Sequence, residues 1–72
     1  RRERDMNRLK EVRQQRGLTQ YELAKLIGRY QSKIWLWEKG YYRPNELEKR
    51  EIARVLGMKI EEIFPRNASK TL

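Results

Sequence analysis

The stretch T-Q-Y-E-L-A-K-L-I-G-R-Y-Q-S-K-I-W-L-W-E-K-G, Thr19 to Gly40, carries two helix patterns on either side of one glycine. Thr19 is followed three residues later by Glu22 and then by an apolar run. That spacing is a capping box, in which each side chain satisfies a backbone N–H at the helix start. Leu23, Ala24 and Ile27 recur at helical spacing and form one face. Gly28 follows at once, and glycine adopts the left-handed conformation that ends a helix and redirects the chain. A second helix is expected over residues 31 to 39, with Ile34 and Trp37 three apart on its inner face. Gly40 stops it.

Two helices joined by a glycine turn predict a helix-turn-helix unit, with the second helix offered to a partner. Outward from it, residues 7 to 16 (N-R-L-K-E-V-R-Q-Q-R) read as a first helix. Asn7 or Asp5 is its candidate cap. Leu9, Val12 and the stem of Arg16 face inward. Gly17 ends that helix, and Leu18 before the Thr19 cap pairs with Leu23 as a hydrophobic staple. After Gly40, Pro44 disfavours helix at Arg43, and Asn45 is a good cap for a fourth helix over residues 46 to 56. Its inner face is expected to use Leu47, Ile52, Ala53 and Leu56, with Val55 partly covered. Gly57 closes it and Met58 returns to the core. A last helix over residues 60 to 64 buries Ile60, Ile63 and Phe64 and stops at Pro65. The expected fold is all-α: a compact five-helix domain at residues 7–64, between a charged arm (1–6) and a polar tail (65–72). Met6-Asn7 resembles a native start, so the first five residues read as an extension.

The chain has 72 residues, enough for one small domain. Charged residues (39%) slightly outnumber apolar ones (38%), which fits a thin helical core under a charged shell. There is no cysteine for a disulfide framework and no histidine for a metal or a general base. No apolar run approaches a membrane span, and no signal peptide is apparent, so the expected compartment is cytoplasmic. Asn67-Ala68-Ser69 fits a glycosylation sequon that such a chain would not use. An enzyme is not expected. Ser32, Ser69, Thr19 and Thr71 lack an evident base, Glu61 and Glu62 point apart on a helix, and the glycines are isolated stops. No cofactor, metal or small-molecule effector is suggested.

The formal charge is +8. Residues 24 to 45 hold Lys25, Arg29, Lys33, Lys39 and Arg43 against Glu38 alone, whereas residues 46 to 63 hold four basic residues against five acidic ones. The excess sits on the second helix of the unit and its flanks, which favours a polyanion partner.

The spacing of Ala24, Gly28, Ile34 and Trp37 resembles the core of the lambda-repressor-like family, which includes the phage repressors and Cro. Arg16-Gly17-Leu18-Thr19-Gln20 before it, and Trp37-Glu38-Lys39-Gly40 with Pro44 after it, are similar to that family's flanks. Arg29-Tyr30 departs from the pattern, which usually has an apolar residue and then Ser, Thr or Pro. That weakens the cap and turns Arg29 outward toward a phosphate. The resemblance implies double-stranded DNA as partner. It implies that Gln20 contacts the backbone and buttresses Gln31, which reads a base. It also implies that Arg13 and Glu38 form a partly buried ion pair. Gln pairs bidentately with adenine. Lys33, Lys39, Arg43 and Arg29 are the other candidate phosphate contacts.

With Ile34 and Trp37 inward, the outward positions of the helix hold Gln31, Ser32, Trp35 and Leu36. An exposed Trp-Leu pair marks an interaction site. Two readings of Trp35 stand: contact with thymine methyls or sugars, alongside Gln31 and Ser32 as base readers, or packing back onto Tyr30 or a neighbouring helix. The expected function is sequence-specific DNA binding by a transcriptional regulator, a repressor, acting as a homodimer. The resemblance implies a dimer surface around the last helix and nearby loops, with Ile63, Phe64 and exposed Tyr41 or Tyr42 as candidates. The alternative is a protein-interaction module of the same fold, an antitoxin or bridging factor, using the Trp35/Leu36 face.

Overall fold

In the computed structural model, residues 7–65 are described, and they form five helices in the order α1 Leu9–Gln15, α2 Gln20–Ile27, α3 Gln31–Lys39, α4 Glu46–Leu56 and α5 Ile60–Ile63. No strand occurs among the described residues. The arm at 1–6 and the tail beyond Pro65 lie outside them.

Local chemistry sets each boundary. Thr19 and Glu22 form the reciprocal capping box that opens α2, with the Glu22 N–H donating to Thr19 Oγ1 at 3.0 Å. Asn45 and Glu48 form a second one at the start of α4. Gly28 takes φ +73° and ψ +34°, and the next N–H, from Arg29, donates back to the Ala24 carbonyl at 2.9 Å. That closes α2 and turns the chain into α3 in three residues. At Phe64, one residue before Pro65, the backbone leaves the helical region and α5 ends.

The core is one cluster: Leu9 and Val12 from α1, Leu23, Ala24 and Ile27 from α2, Ile34 and Trp37 from α3, Ile52, Ala53 and Leu56 from α4, and Ile63 from α5. Trp37 is the largest fully buried side chain. Leu18, Val55, Met58, Ile60 and Phe64 pack against the cluster from its edge. The fully buried side chains each contribute about 1.5–3 kcal/mol. They hold α3 by its inner face, so its outer face is presented in a fixed orientation.

Three sequence expectations about the helix ends and the core change in the structure. First, α1 is shorter than residues 7 to 16. Asn7 lies ahead of it and bridges two elements: its Oδ1 accepts the Leu9 N–H, and its Nδ2 donates to the Trp37 carbonyl, both at 3.1 Å. Second, Leu47 is exposed rather than inward. It precedes Leu56 by nine residues, about two and a half turns, and so stands on the opposite side of α4. The buried position beside it belongs to Glu48. Third, the outer part of Arg16 reaches α4, where Nε donates to the Leu56 carbonyl at 2.7 Å. That satisfies one of the carbonyls left open at a helix C-terminus.

Candidate nucleic-acid interface

The outer face of α3 is set by its inner one. With Ile34 and Trp37 buried, Gln31, Ser32 and Trp35 are exposed. Leu36, adjacent to Trp37, is half-covered rather than outward, so the expected Trp-Leu pair reduces to Trp35. Trp35 is 41% exposed. Its partner is Tyr41, in the loop after α3, edge to face with ring centroids 5.5 Å apart. The Lys39 ammonium sits 5.9 Å from the Trp35 ring, in cation–π range. Tyr41 and Tyr42 are themselves exposed, so the α3 C-terminus carries an aromatic rim.

A chain of side chains leads from the interior to this face. Arg13 and Glu38 are nearly completely buried and form a two-pronged ion pair: Nε to Oε2 at 2.5 Å and Nη2 to Oε1 at 3.2 Å. Arg13 Nη1 also donates to the Leu18 carbonyl at 2.8 Å. Glu38 Oε1 accepts a second hydrogen bond, from Gln20 Nε2 at 3.0 Å. Gln20 Oε1 in turn accepts from Gln31 Nε2 at 3.4 Å. Four residues from α1, α2 and α3 are thereby connected, and Gln31 is the one that meets solvent.

Arg29 is a correction. It is turned inward to α4, where Nε meets Glu48 Oε2 at 3.1 Å and Nη2 lies 3.6 Å from Glu51 Oε1. The two carboxylates hold its guanidinium away from the outward path toward a phosphate. Burial pushes the Glu48 carboxyl up, but the Asn45 N–H, the Arg29 guanidinium and the nearby Lys33 overcome this and hold it below the usual carboxylate range. Sequence reading missed this pairing, because the acidic partners lie nineteen or more residues away on another helix. Their signal was only the acid-rich character of residues 46 to 51. Lys39 and Arg43 remain exposed, and Lys33 is half-buried beside Glu48. No helix among the described residues is long and apolar enough to cross a membrane, and none of their acidic side chains cluster as metal ligands.

Residues 7–63 match the family model described as a helix-turn-helix domain. The chain belongs to the helix-turn-helix family of DNA-binding transcriptional regulators. Three of its relatives are archaeal proteins. A protein of Archaeoglobus fulgidus is 46% identical over 57 residues, covering 79% of this chain and 80% of the relative. One of Methanothermobacter thermautotrophicus is 44% identical over 57 residues, 78% of this chain and 83% of the relative. One of Methanocaldococcus jannaschii is 43% identical over 58 residues, 81% of this chain and 88% of the relative. All three are named uncharacterized HTH-type transcriptional regulators. In this helix-turn-helix regulator α2 and α3 are the paired helices, and the outer face of α3 is exposed.

Proposed function

We propose that this regulator is a repressor that reads an operator with the outer face of α3, and that it acts as a homodimer in the cytoplasm. Gln31, Ser32 and Trp35 contact base edges, and Gln20, Lys33, Lys39 and Arg43 contact phosphates. Arg29 leaves that set because α4 holds its guanidinium. The observation that supports the reading best is Gln31, exposed at the first turn of α3 and braced from behind by Gln20. A braced amide loses little freedom on binding, so its hydrogen bonds to a base are favoured. α3 also starts without a capping side chain at Tyr30, which leaves its first N–H groups for a phosphate. One domain contacts little DNA, so useful affinity calls for two half-sites about 34 Å apart. A repressor of this size acts by occluding the promoter.

Selection of bound duplexes from a random pool at about 0.15 M salt tests this, because weak phosphate-only binding is largely screened there. An enriched inverted repeat with half-sites one helical turn apart is expected. A pool with no enriched sequence defeats the reading and turns attention to a protein partner on Trp35 and Tyr41.

A further inference from the structure

The hydrogen bonds behind Gln31 have a direction, and the direction selects a base. A carboxylate paired with a guanidinium offers only acceptors. Glu38 Oε1 already serves Arg13, so the Gln20 amide meets it with its NH2 end, at 3.0 Å. That leaves Gln20 Oε1, also an acceptor, facing Gln31. Gln31 must then give one of its two amide hydrogens to Gln20. What remains at the solvent side is one N–H donor and one carbonyl acceptor.

Adenine shows the major groove an acceptor, N7, beside a donor, the N6 amino group. Guanine shows two acceptors, N7 and O6. The remaining donor and acceptor of Gln31 match adenine. Against guanine, its carbonyl would stand opposite O6 with no hydrogen between them. Were the Gln20 amide reversed, Gln31 would accept from it and keep both hydrogens, and guanine would be satisfied as well. We infer that buried Glu38, through Gln20, fixes the polarity of the Gln31 amide and thereby makes this position select adenine over guanine. Glu38 and Gln20 are positioning residues: neither touches a base edge in this arrangement. The inference rests on the DNA-reading role of α3 proposed above.

The test is the base preference of variants in the duplex selection. Gln31→Ala first marks the base pair that Gln31 reads, as the position whose preference vanishes. At that position the wild-type protein is expected to favour adenine over guanine by roughly tenfold or more. Glu38→Gln, which can present an amide NH2 to Gln20 and reverse it, is expected to bring the ratio to about threefold or less while preferences elsewhere persist. A merely structural role for Glu38 would weaken all positions together. Gln20→Met keeps the Arg13–Glu38 pair and removes the acceptor behind Gln31, so it is expected to relax the same position. It decides the matter alone if Glu38→Gln does not fold by circular dichroism. An unchanged adenine-to-guanine ratio in the folded variants, or guanine preferred by the wild type, overturns the inference and leaves sequence reading intact. A wild-type pool with no enriched sequence overturns both.

Discussion

Arg13 on α1 and Glu38 at the end of α3 are joined by two hydrogen bonds across 25 residues of sequence, with both side chains more than nine-tenths buried. The pair fixes where the last turn of α3 lies against α1. Asn7 reinforces the same junction by donating to the Trp37 carbonyl. A buried charge without its partner is far more costly than a pair absent altogether. Arg13→Met alone and Glu38→Leu alone are each expected to lower stability by ~3 kcal/mol or more. The double variant should lose less than the sum, with a coupling of more than ~1 kcal/mol in a urea-denaturation cycle. Additive losses would show that the two side chains stabilise the domain independently.

Glu48 makes the domain sensitive to acid. Its folded carboxyl titrates below the ordinary value of 4.5. The stability it contributes is therefore fully present above that value and is lost as pH falls through the lower, folded one. Exposed Glu11, held low by its hydrogen bond to Arg8 and by the charge of that guanidinium, acts in the same direction and is screened by solvent. The urea midpoint is expected to hold between about pH 7 and pH 5 and to fall below about pH 4.5. Glu48→Gln should start lower by ~1–2 kcal/mol and show a shallower acid limb. An acid limb with the wild-type slope in that variant would assign the sensitivity to other carboxylates.

The helix boundaries were legible in the sequence because their causes are local. Thr19 with Glu22, Asn45 with Glu48, and Gly28 act within three or four residues, so spacing alone reveals them. Ile34 and Trp37 set the α3 register for the same reason. Leu47 misled because it is apolar next to a helix start, whereas the register of Ile52, Ala53 and Leu56 assigns the inner position to Glu48. The partners of Arg16 and Arg29 were hidden because each lies on α4, at a separation that only the packed fold brings together. Tyr41 was visible as an exposed aromatic, but its edge-to-face contact with Trp35 depends on the path of the loop after Gly40.

Two tryptophans two residues apart on α3 should respond oppositely to truncation. Trp37 is fully buried in the central cluster, and its replacement by Ala leaves a cavity costing about 3–5 kcal/mol. In a domain this small that approaches the whole stability, so Trp37→Ala is expected to be largely unfolded by circular dichroism at 25 °C, an ordinary reference temperature. Trp35 is partly exposed and gives up its contacts with Tyr41 and Lys39, so Trp35→Ala should lower the melting midpoint by about 8 °C or less. Its effect belongs to binding instead, where weaker DNA affinity with the fold intact is expected. Unfolding of Trp35→Ala would make the ring a structural element.

Arg29 and Lys39 carry the same charge but face different partners, and salt dependence separates them. Each phosphate neutralised contributes about 0.9 to the slope of log affinity against log salt. Lys39 is exposed at the end of α3 beside Trp35, so Lys39→Ala should flatten the slope by about 1 and leave the melting midpoint nearly unchanged. Arg29 is already matched by Glu48 and Glu51. Its removal leaves buried Glu48 and partly buried Glu51 with less compensation, so Arg29→Ala should destabilise the fold by ~1–2 kcal/mol and leave the slope where it was. Binding titrations of both variants between about 0.05 and 0.3 M salt check this, on protein shown to be folded at each concentration. A slope lowered by Arg29→Ala would mean that DNA draws the guanidinium away from α4. A slope unmoved by Lys39→Ala would leave its ammonium on the Trp35 ring in the complex.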